Sequence, residues 1–200
     1  MASIIRLHPS TKASSLTALL YDLDAPKMLA NTPIDPKIKT KRQFICSFIE
    51  LAKALNKSRS DLLAELTLLG LDFESLSRAD ELELHLSQLP PGGIFPPHLH
   101  FIGGELYFGL MGEGQMRIGH AMQSEKEVKS TQDVSSPASL SCVWSKERSA
   151  PLLAHSAFMV QVNEVHSLTN PSSSDLYFAF ICGGWHMAEG GDRLFLPSVH

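Results

Sequence analysis

Four residues of this 200-residue chain have the types and spacing to hold a metal ion: His98, His100, Glu105 and His166. The first three lie in "GGIFPPHLHFIGGELYFGLMGEG", and His166 lies far downstream in "QVNEVHSLTN". Alternate side chains of an extended strand share a face, so His98 and His100 point the same way. A bend at Gly103 and Gly104 lets Glu105 start the next strand opposite them and bring a carboxylate oxygen to the same centre. Three neutral imidazoles and one carboxylate suit Fe, Mn, Ni, Co or Zn, and they leave coordination positions for water or substrate.

Such a centre needs a rigid frame, and the second part of the chain reads as one. From about Ala79 short strands follow one another. "ELELHLSQL" alternates strictly, with Leu82, Leu84 and Leu86 on one face and Glu81, Glu83, His85 and Ser87 on the other. "ELYFGLMG", "QMRIGHAM", "SLSCVWS", "AFMVQV", "HSLTN" and "LYFAFICGG" continue the pattern between Gly, Pro, Asn and Ser punctuation. Many short strands with turn signals predict a sandwich or barrel. Residues 121–139 are polar and Ser-rich, which predicts an exposed loop.

The first part reads differently. Residues 1–40 are interrupted by Pro9, Pro26, Pro33 and Pro36 and predict an extended arm with a short helix near Ser14 to Leu20. Phe44, Phe48, Leu51 and Leu55 recur at helical spacing, and Ser60 reads as the N-cap of a second helix that stops at Gly70. The apolar faces of this pair predict packing on the strands rather than DNA binding. The expected organisation is an N-terminal arm and helical extension over 1–78 and a barrel with a closing segment over 79–200.

The residues of the opening stretch also carry a family resemblance. Gly92, His98, His100, Glu105 and Gly112 match, position by position, the first motif of the cupin superfamily, and His166 and Asn170 match the end of the second. Before His166 the usual Pro-X-Gly is replaced by Gln161-Val162-Asn163, where Asn tolerates a left-handed turn. The resemblance covers about residues 80–184. It implies a mainly β fold, a double-stranded β-helix or jelly-roll barrel, with one divalent transition metal per chain (Fe, Mn, Ni or Zn) held by His98, His100, Glu105 and His166. The distance between the two motifs is long for the family, and the polar 121–139 segment accounts for it. Within this, "ELYFGLMGEGQM" resembles a segment of the cupin-type phosphoglucose isomerases through Glu105, Tyr107, Leu110, Gly112, Gly114 and Met116.

Composition bounds the partners. Seventeen basic and 21 acidic residues give a formal net charge of −4, and the only basic cluster is the short Lys37, Lys39, Lys41, Arg42 group, so nucleic acid is not an expected partner. No apolar run approaches a membrane-spanning length of about 18 residues and no secretory signal is evident. Cys46, Cys142 and Cys182 are widely spaced and fit a reducing cytosol. The expected partner is a small-molecule substrate, and the N-terminal arm is suited to homodimer formation.

Other residues have weaker claims. Tyr107 falls on the face of Glu105 and is the candidate catalytic partner of that carboxylate, with core packing as the alternative. His155 reads as a surface residue or a group near the site. Met111, Met116 and Met159 read as barrel filling, and Cys182 as a small buried apolar residue. Phe95, Phe101, Phe108 and Phe158 would give an apolar lining. Trp185, His186, Glu189 and Asp192 belong to a segment that closes the barrel or contributes to its pocket. Three functions fit: a metal-dependent isomerase of a sugar or sugar phosphate in which a carboxylate moves a proton between C1 and C2, an Fe(II)-dependent dioxygenase or metal-assisted lyase, and a non-catalytic small-molecule-binding module.

Overall fold

Both faces of the alternating strand Leu82–Leu89 are buried, and each faces a different core. In the computed structural model, which describes residues 4–5, 15–33, 42–71, 78, 81–123, 142–186 and 193–196, this is β3. The elements before it are β1 (Ile4–Ile5), α1 (Ser15–Asp22), α2 (Ala25–Leu29), β2 (Arg42–Ser47), α3 (Phe48–Ala54) and α4 (Arg59–Leu68). After it come β4 (Ile94–His100), β5 (Glu105–Met111), β6 (Glu113–Gln123), β7 (Cys142–Leu153), β8 (Ala157–Val160), β9 (Glu164–Thr169), β10 (Leu176–Gly183), a 3-10 turn (Gly184–His186) and β11 (Arg193–Phe195).

The strands form two antiparallel sheets, ordered β1-β8-β5-β10-β3-β2 and β11-β4-β9-β6-β7. Within them β3 to β10 alternate between β3-β10-β5-β8 and β4-β9-β6-β7, the order of an eight-stranded jelly roll. This is the double-stranded β-helix that the resemblance implies. Its interior is filled by Leu89, Phe95, Tyr107, Met116, Ile118, Phe158, Leu168, Leu176, Phe178 and Phe180, among others.

The outer face of the first sheet carries a second core. Leu82, Leu84, Leu86, Leu106, Phe108, Met159 and Ile181 pack there against Leu16, Leu20, Leu29, Phe48, Leu51, Leu62 and Leu66 of the helices. The helical segment therefore covers the sheet, as its apolar stripes predict. Its boundaries differ from the sequence reading in three places. Residues 25–29, expected in an extended arm, form α2, which Asp24 caps by accepting from the Lys27 N–H and in whose first turn Pro26 has no N–H to leave unpaired. Residues 42–47 form β2 and extend the sheet beside β3, with Phe44 opposite Leu86, so the helix starts only at Phe48. Ser47 sets that start: its hydroxyl accepts from the Glu50 N–H while the Glu50 carboxylate accepts from the Ser47 N–H, a complete capping box. The cap of α4 is Ser58 rather than Ser60, because the Ser58 hydroxyl accepts from the Asp61 N–H. Gly70, in the left-handed region at φ 95°, ends it as expected.

Turns take the conformations their residues permit. Asn163 adopts φ 63°, so the bend before β9 survives the replacement of the usual Pro-X-Gly. Gly112, at φ 83°, joins β5 to β6 where a Cβ would meet the Asp175 carbonyl oxygen at 2.5 Å. Asn170, buried at the end of β9, donates through Nδ2 to the Leu89 and Ser174 carbonyls, both at 2.8 Å, and so ties β9 to β3 and to the loop before β10. Residues 124–141, which include most of the expected polar loop, and residues 1–3, 6–14 and 34–40 of the expected arm lie outside the described residues. Among the described residues no helix is long and apolar enough to cross a membrane.

Because one core joins helices and sheet, the two should unfold together. Leu66→Ala, on α4, is expected to destabilise the protein by about 2–5 kcal/mol. It should shift a single transition seen alike by barrel tryptophan fluorescence and helical circular dichroism in urea. Two separated transitions would show that the helices are an independent cover.

Candidate metal centre

The histidines reach the barrel interior through an irregularity in β4. Phe95 pairs with Leu168 of β9 and His98 with His166, so one extra residue is accommodated at Pro96-Pro97. Proline cannot donate to a ladder, and a bulge re-aims the side chains that follow it. Residues 95 and 98 would fall on opposite faces of a regular strand, yet here Phe95 joins the interior core and His98 and His100 are both buried next to it. Glu105 opens β5 after Gly103 and Gly104, and His166 lies on β9, directly opposite His98. One nitrogen or carboxylate oxygen from each of His98, His100, Glu105 and His166 lies within 4.8 Å of all the others, and all four residues are buried. The structure thus brings together every residue of the set expected from the sequence, in an arrangement that could hold a metal ion.

Hydrogen bonds fix the outward nitrogens of two rings. His98 Nδ1 lies 2.8 Å from the Pro96 carbonyl oxygen and His166 Nδ1 lies 3.2 Å from that of Glu164. A carbonyl only accepts, so both Nδ1 atoms carry the proton and donate. The two Nε2 atoms then turn inward, each able to present a lone pair to a metal ion, as in a metal-ligating imidazole. His98 Nε2 is buried and has no hydrogen-bond partner among the described residues. His166 Nε2 lies 3.1 Å from Glu105 Oε2. Two acceptors at that distance require a cation between or beside them, a proton or a metal ion. The residues present therefore fit the metal that the resemblance implies.

Glu105 is the hub. The Tyr107 hydroxyl donates to its Oε2 at 2.6 Å, and Oε1 lies 3.2 Å from His100 Nε2 and 3.5 Å from His186 Nδ1. Burial alone would raise its pKa, but the charge of His100 and hydrogen bonds from His100, His166 and His186 outweigh it and hold the carboxyl well below the usual range. Burial pushes Tyr107 well above its ordinary value, reinforced by the negative charge and hydrogen bond of Glu105, so it stays a neutral donor. Burial, then the neighbouring His166, holds His98 well below its ordinary value.

The remaining candidates separate. Phe95 and Phe158 face the interior, but Phe108 points out to the helices and Phe101 is exposed, because alternation along β5 turns Phe108 away when Tyr107 turns in. Met116 fills the barrel, Met159 packs on its outside and Met111 is exposed. His155 sits on the turn before β8, exposed, with Tyr21 edge-on to its ring and no link to the centre. Glu189 and Asp192 lie outside the described residues. Trp185 donates to the Ile102 carbonyl at 3.1 Å, and Arg78 covers its ring. His186 reaches the centre itself, stacked on His100 with ring centroids 3.9 Å apart. Cys182 is buried in the apolar interior, as expected, and its sulfur also groups with Glu105 and His186 donor atoms. The interior also holds His85, stacked on Phe180 and 3.1 Å from Glu83, which the alternation of β3 had placed on its polar face. Of these, only the pocket-forming alternative for His186 was legible, from its glycine-flanked place after the last barrel strand.

No protein-family profile matches the chain, and no curated protein matches it. Solved structures do. A Lactobacillus farciminis oxalate decarboxylase in a formate complex aligns at 13% identity and TM-score 0.43, over 79% of this chain and 32% of that one. A Bacillus subtilis oxalate decarboxylase studied for its Mn(II) centres aligns at 14% identity and TM-score 0.46, over 84% and 30%. The same enzyme at pH 4.6 gives 13% identity and TM-score 0.45, over 85% and 31%. The chain thus spans about a third of the length of the structures it matches. At these values the likeness carries nothing about activity; the sheet order and the site geometry stand on their own.

Two outcomes test the centre. Protein purified without chelator should carry a transition metal by elemental analysis, and His98→Ala should lose it from this centre; equal metal in both would remove His98 from the ligand set. The metal-free protein should also lose stability in acid. A histidine held below its ordinary 6.5 stays neutral when folded and takes up a proton on unfolding, so stability rises with pH until the unfolded value is passed. The stabilising contribution of Glu105 is lost only at lower pH, as its depressed folded pKa is approached. Denaturation of apo protein between about pH 7.5 and 5.5 should therefore show a decline that His98→Gln flattens; identical slopes would contradict it.

Proposed function

We propose that the chain is a mononuclear metal-dependent enzyme of the cupin type acting on a small polar metabolite, with isomerisation of a sugar or sugar phosphate as the first reaction to test. The observation that carries this reading is the inward lone pair of His98 beside the facing acceptors of His166 and Glu105, at the end of a barrel otherwise packed with apolar side chains. Such a polar convergence is costly to bury unless a cation completes it. A divalent transition metal held by His98, His100, Glu105 and His166 would supply a Lewis acid that polarises adjacent carbonyl and hydroxyl oxygens of a substrate.

The side chains around it have separable tasks. Tyr107, kept neutral, orients Glu105 by donating to one oxygen and leaves the other toward His100 and His186. Glu105 is the candidate carrier of a proton between neighbouring carbons. Arg193 on β11 pairs across the sheet with His100, and its positive charge is felt at Tyr107. It would favour a substrate with an anionic group.

A second reading, an Fe(II)-dependent dioxygenase or metal-assisted lyase, draws on the rings of Phe95 and Phe195, 4.7 and 5.5 Å from the His98 ring. They give one side of the centre an apolar wall suited to an aromatic or thiol substrate.

The test is turnover of aldose and ketose phosphates by protein reloaded separately with Fe(II), Mn(II), Ni(II) or Zn(II), followed by proton exchange from solvent in NMR spectra. Activity above apo protein is expected, abolished in His166→Ala and reduced about 10–100-fold in Tyr107→Phe, a loss typical of groups that orient a metal ligand. No turnover with any metal overturns the isomerase reading. Oxygen uptake with Fe(II) would then support the second, and saturable ligand binding to apo protein without turnover the binding module.

A further inference from the structure

Beyond the four-residue centre, the inner face of the first sheet carries a second group of ligand-type atoms. Cys182 pairs with Glu83 on β3, and its neighbour Ile181 pairs with Leu106 on β5, so Cys182 stands beside Glu105 on the same inward row. Its thiol is fully buried. Three residues past the end of β10, at the end of the 3-10 turn, His186 comes back over that row. The Cys182 sulfur, a Glu105 oxygen and a His186 nitrogen lie within 4.8 Å of one another, all buried.

His186 has the same ring arrangement as His98 and His166. Its Nε2 lies 2.6 Å from the Ile102 carbonyl oxygen and donates to it, so Nδ1 turns inward, 3.5 Å from Glu105 Oε1, and can offer its lone pair to an ion. A carbonyl behind the outer nitrogen, with the other nitrogen turned to the centre, is the arrangement that orients metal-ligating histidines. His186 nevertheless groups with Glu105 and Cys182 and not with the other three histidines. The two oxygens of Glu105 also divide: Oε2 faces His166 and Tyr107, and Oε1 faces His100 and His186.

We infer that Glu105, Cys182 and His186 form a second, thiolate-containing metal site that shares the Glu105 carboxylate with the first. Tetrahedral bonds of about 2.0–2.3 Å separate donor atoms by roughly 3–4 Å, so small side-chain rotations close the group around an ion. One thiolate, one imidazole and one carboxylate oxygen suit Zn(II) or Co(II) and leave a fourth position for water. Metal binding would displace the Cys182 proton to solvent, and the bound ion would offset the cost of a buried thiolate. With Glu105 contributing one oxygen to each ion, the second ion would be bridged to the first and would withdraw that carboxylate from proton transfer, so the catalytic form is the one that holds the first ion alone.

The test is titration of reduced apo protein with Co(II) alone, read by absorption. The expected result is uptake of about two equivalents, one of which brings an intense near-ultraviolet thiolate-to-cobalt charge-transfer band. Cys182→Ser should lose that band and one equivalent while keeping the weaker visible cobalt bands, and His186→Gln should weaken the band-forming step at least about tenfold. His98→Ala should keep the band and lose the other equivalent. Its failure to lose any cobalt would count against the first centre and leave the second standing. A wild-type titration with no charge-transfer band, a band that survives in Cys182→Ser, or cobalt uptake unchanged in that variant overturns the second site. If Cys182→Ser does not fold, as judged by its circular dichroism, His186→Gln decides alone, and an unchanged band with unchanged affinity overturns the proposal.

Discussion

A carboxylate buried inside a barrel is the constraint on which the rest of this structure depends. Glu105 is almost without solvent contact, and an isolated charge there would cost far more than a domain's whole stability margin. The protein answers with a phenol on one oxygen, imidazoles around both, and backbone carbonyls behind two of those rings and behind the neighbouring His98. The carbonyls matter because they decide tautomers. With its outer nitrogen committed, each of those rings turns its other nitrogen inward, and nitrogen and oxygen atoms that converge in this way favour a cation in their midst.

Holding that arrangement is a task for packing on both sides of one sheet. Strands β3, β5, β8 and β10 send alternate residues to an aromatic interior and to a leucine-rich outer face. Tyr107 is kept in place by Phe178 and Phe180 stacked beside it, and those rings are held in turn by a sheet whose back is sealed by the helices. A barrel of this size without its helical cover would expose a row of leucines and phenylalanines to water. The helices are therefore part of what keeps the centre rigid, although none of their residues lies in it.

The site also depends on two departures from regular strand geometry. The Pro96-Pro97 bulge lets Phe95, His98 and His100 all turn inward, and the Pro96 carbonyl it exposes is the one that accepts from His98. The 3-10 turn after β10 reverses the chain so that His186 stacks on His100, while β11 lays Phe195 beside His98. These segments close the end of the barrel that holds the polar residues. The opposite end is sealed by Leu89, Leu176 and Asn170.

The sequence by itself pointed to the strand-rich fold, the inward Tyr107, the left-handed turn at Asn163 and His98, His100 and Glu105 of the centre, because each follows from local periodicity or from a short motif whose residues are neighbours along the chain; the distant His166 joined them through the second motif of the family it resembles. It misjudged the start of α3, where the free edge of β3 recruits residues 42–47 into the sheet before Ser47 can begin a turn. It also could not rank the histidines outside the motif. His155 and His186 look alike as residue types, yet one lies exposed against Tyr21 and the other meets Glu105. Cys182 and His85 likewise become interior polar groups only through the pairing of β3 with β10. Only the tertiary structure decided these, because strand register and the return path of the chain bring together residues that no local spacing connects.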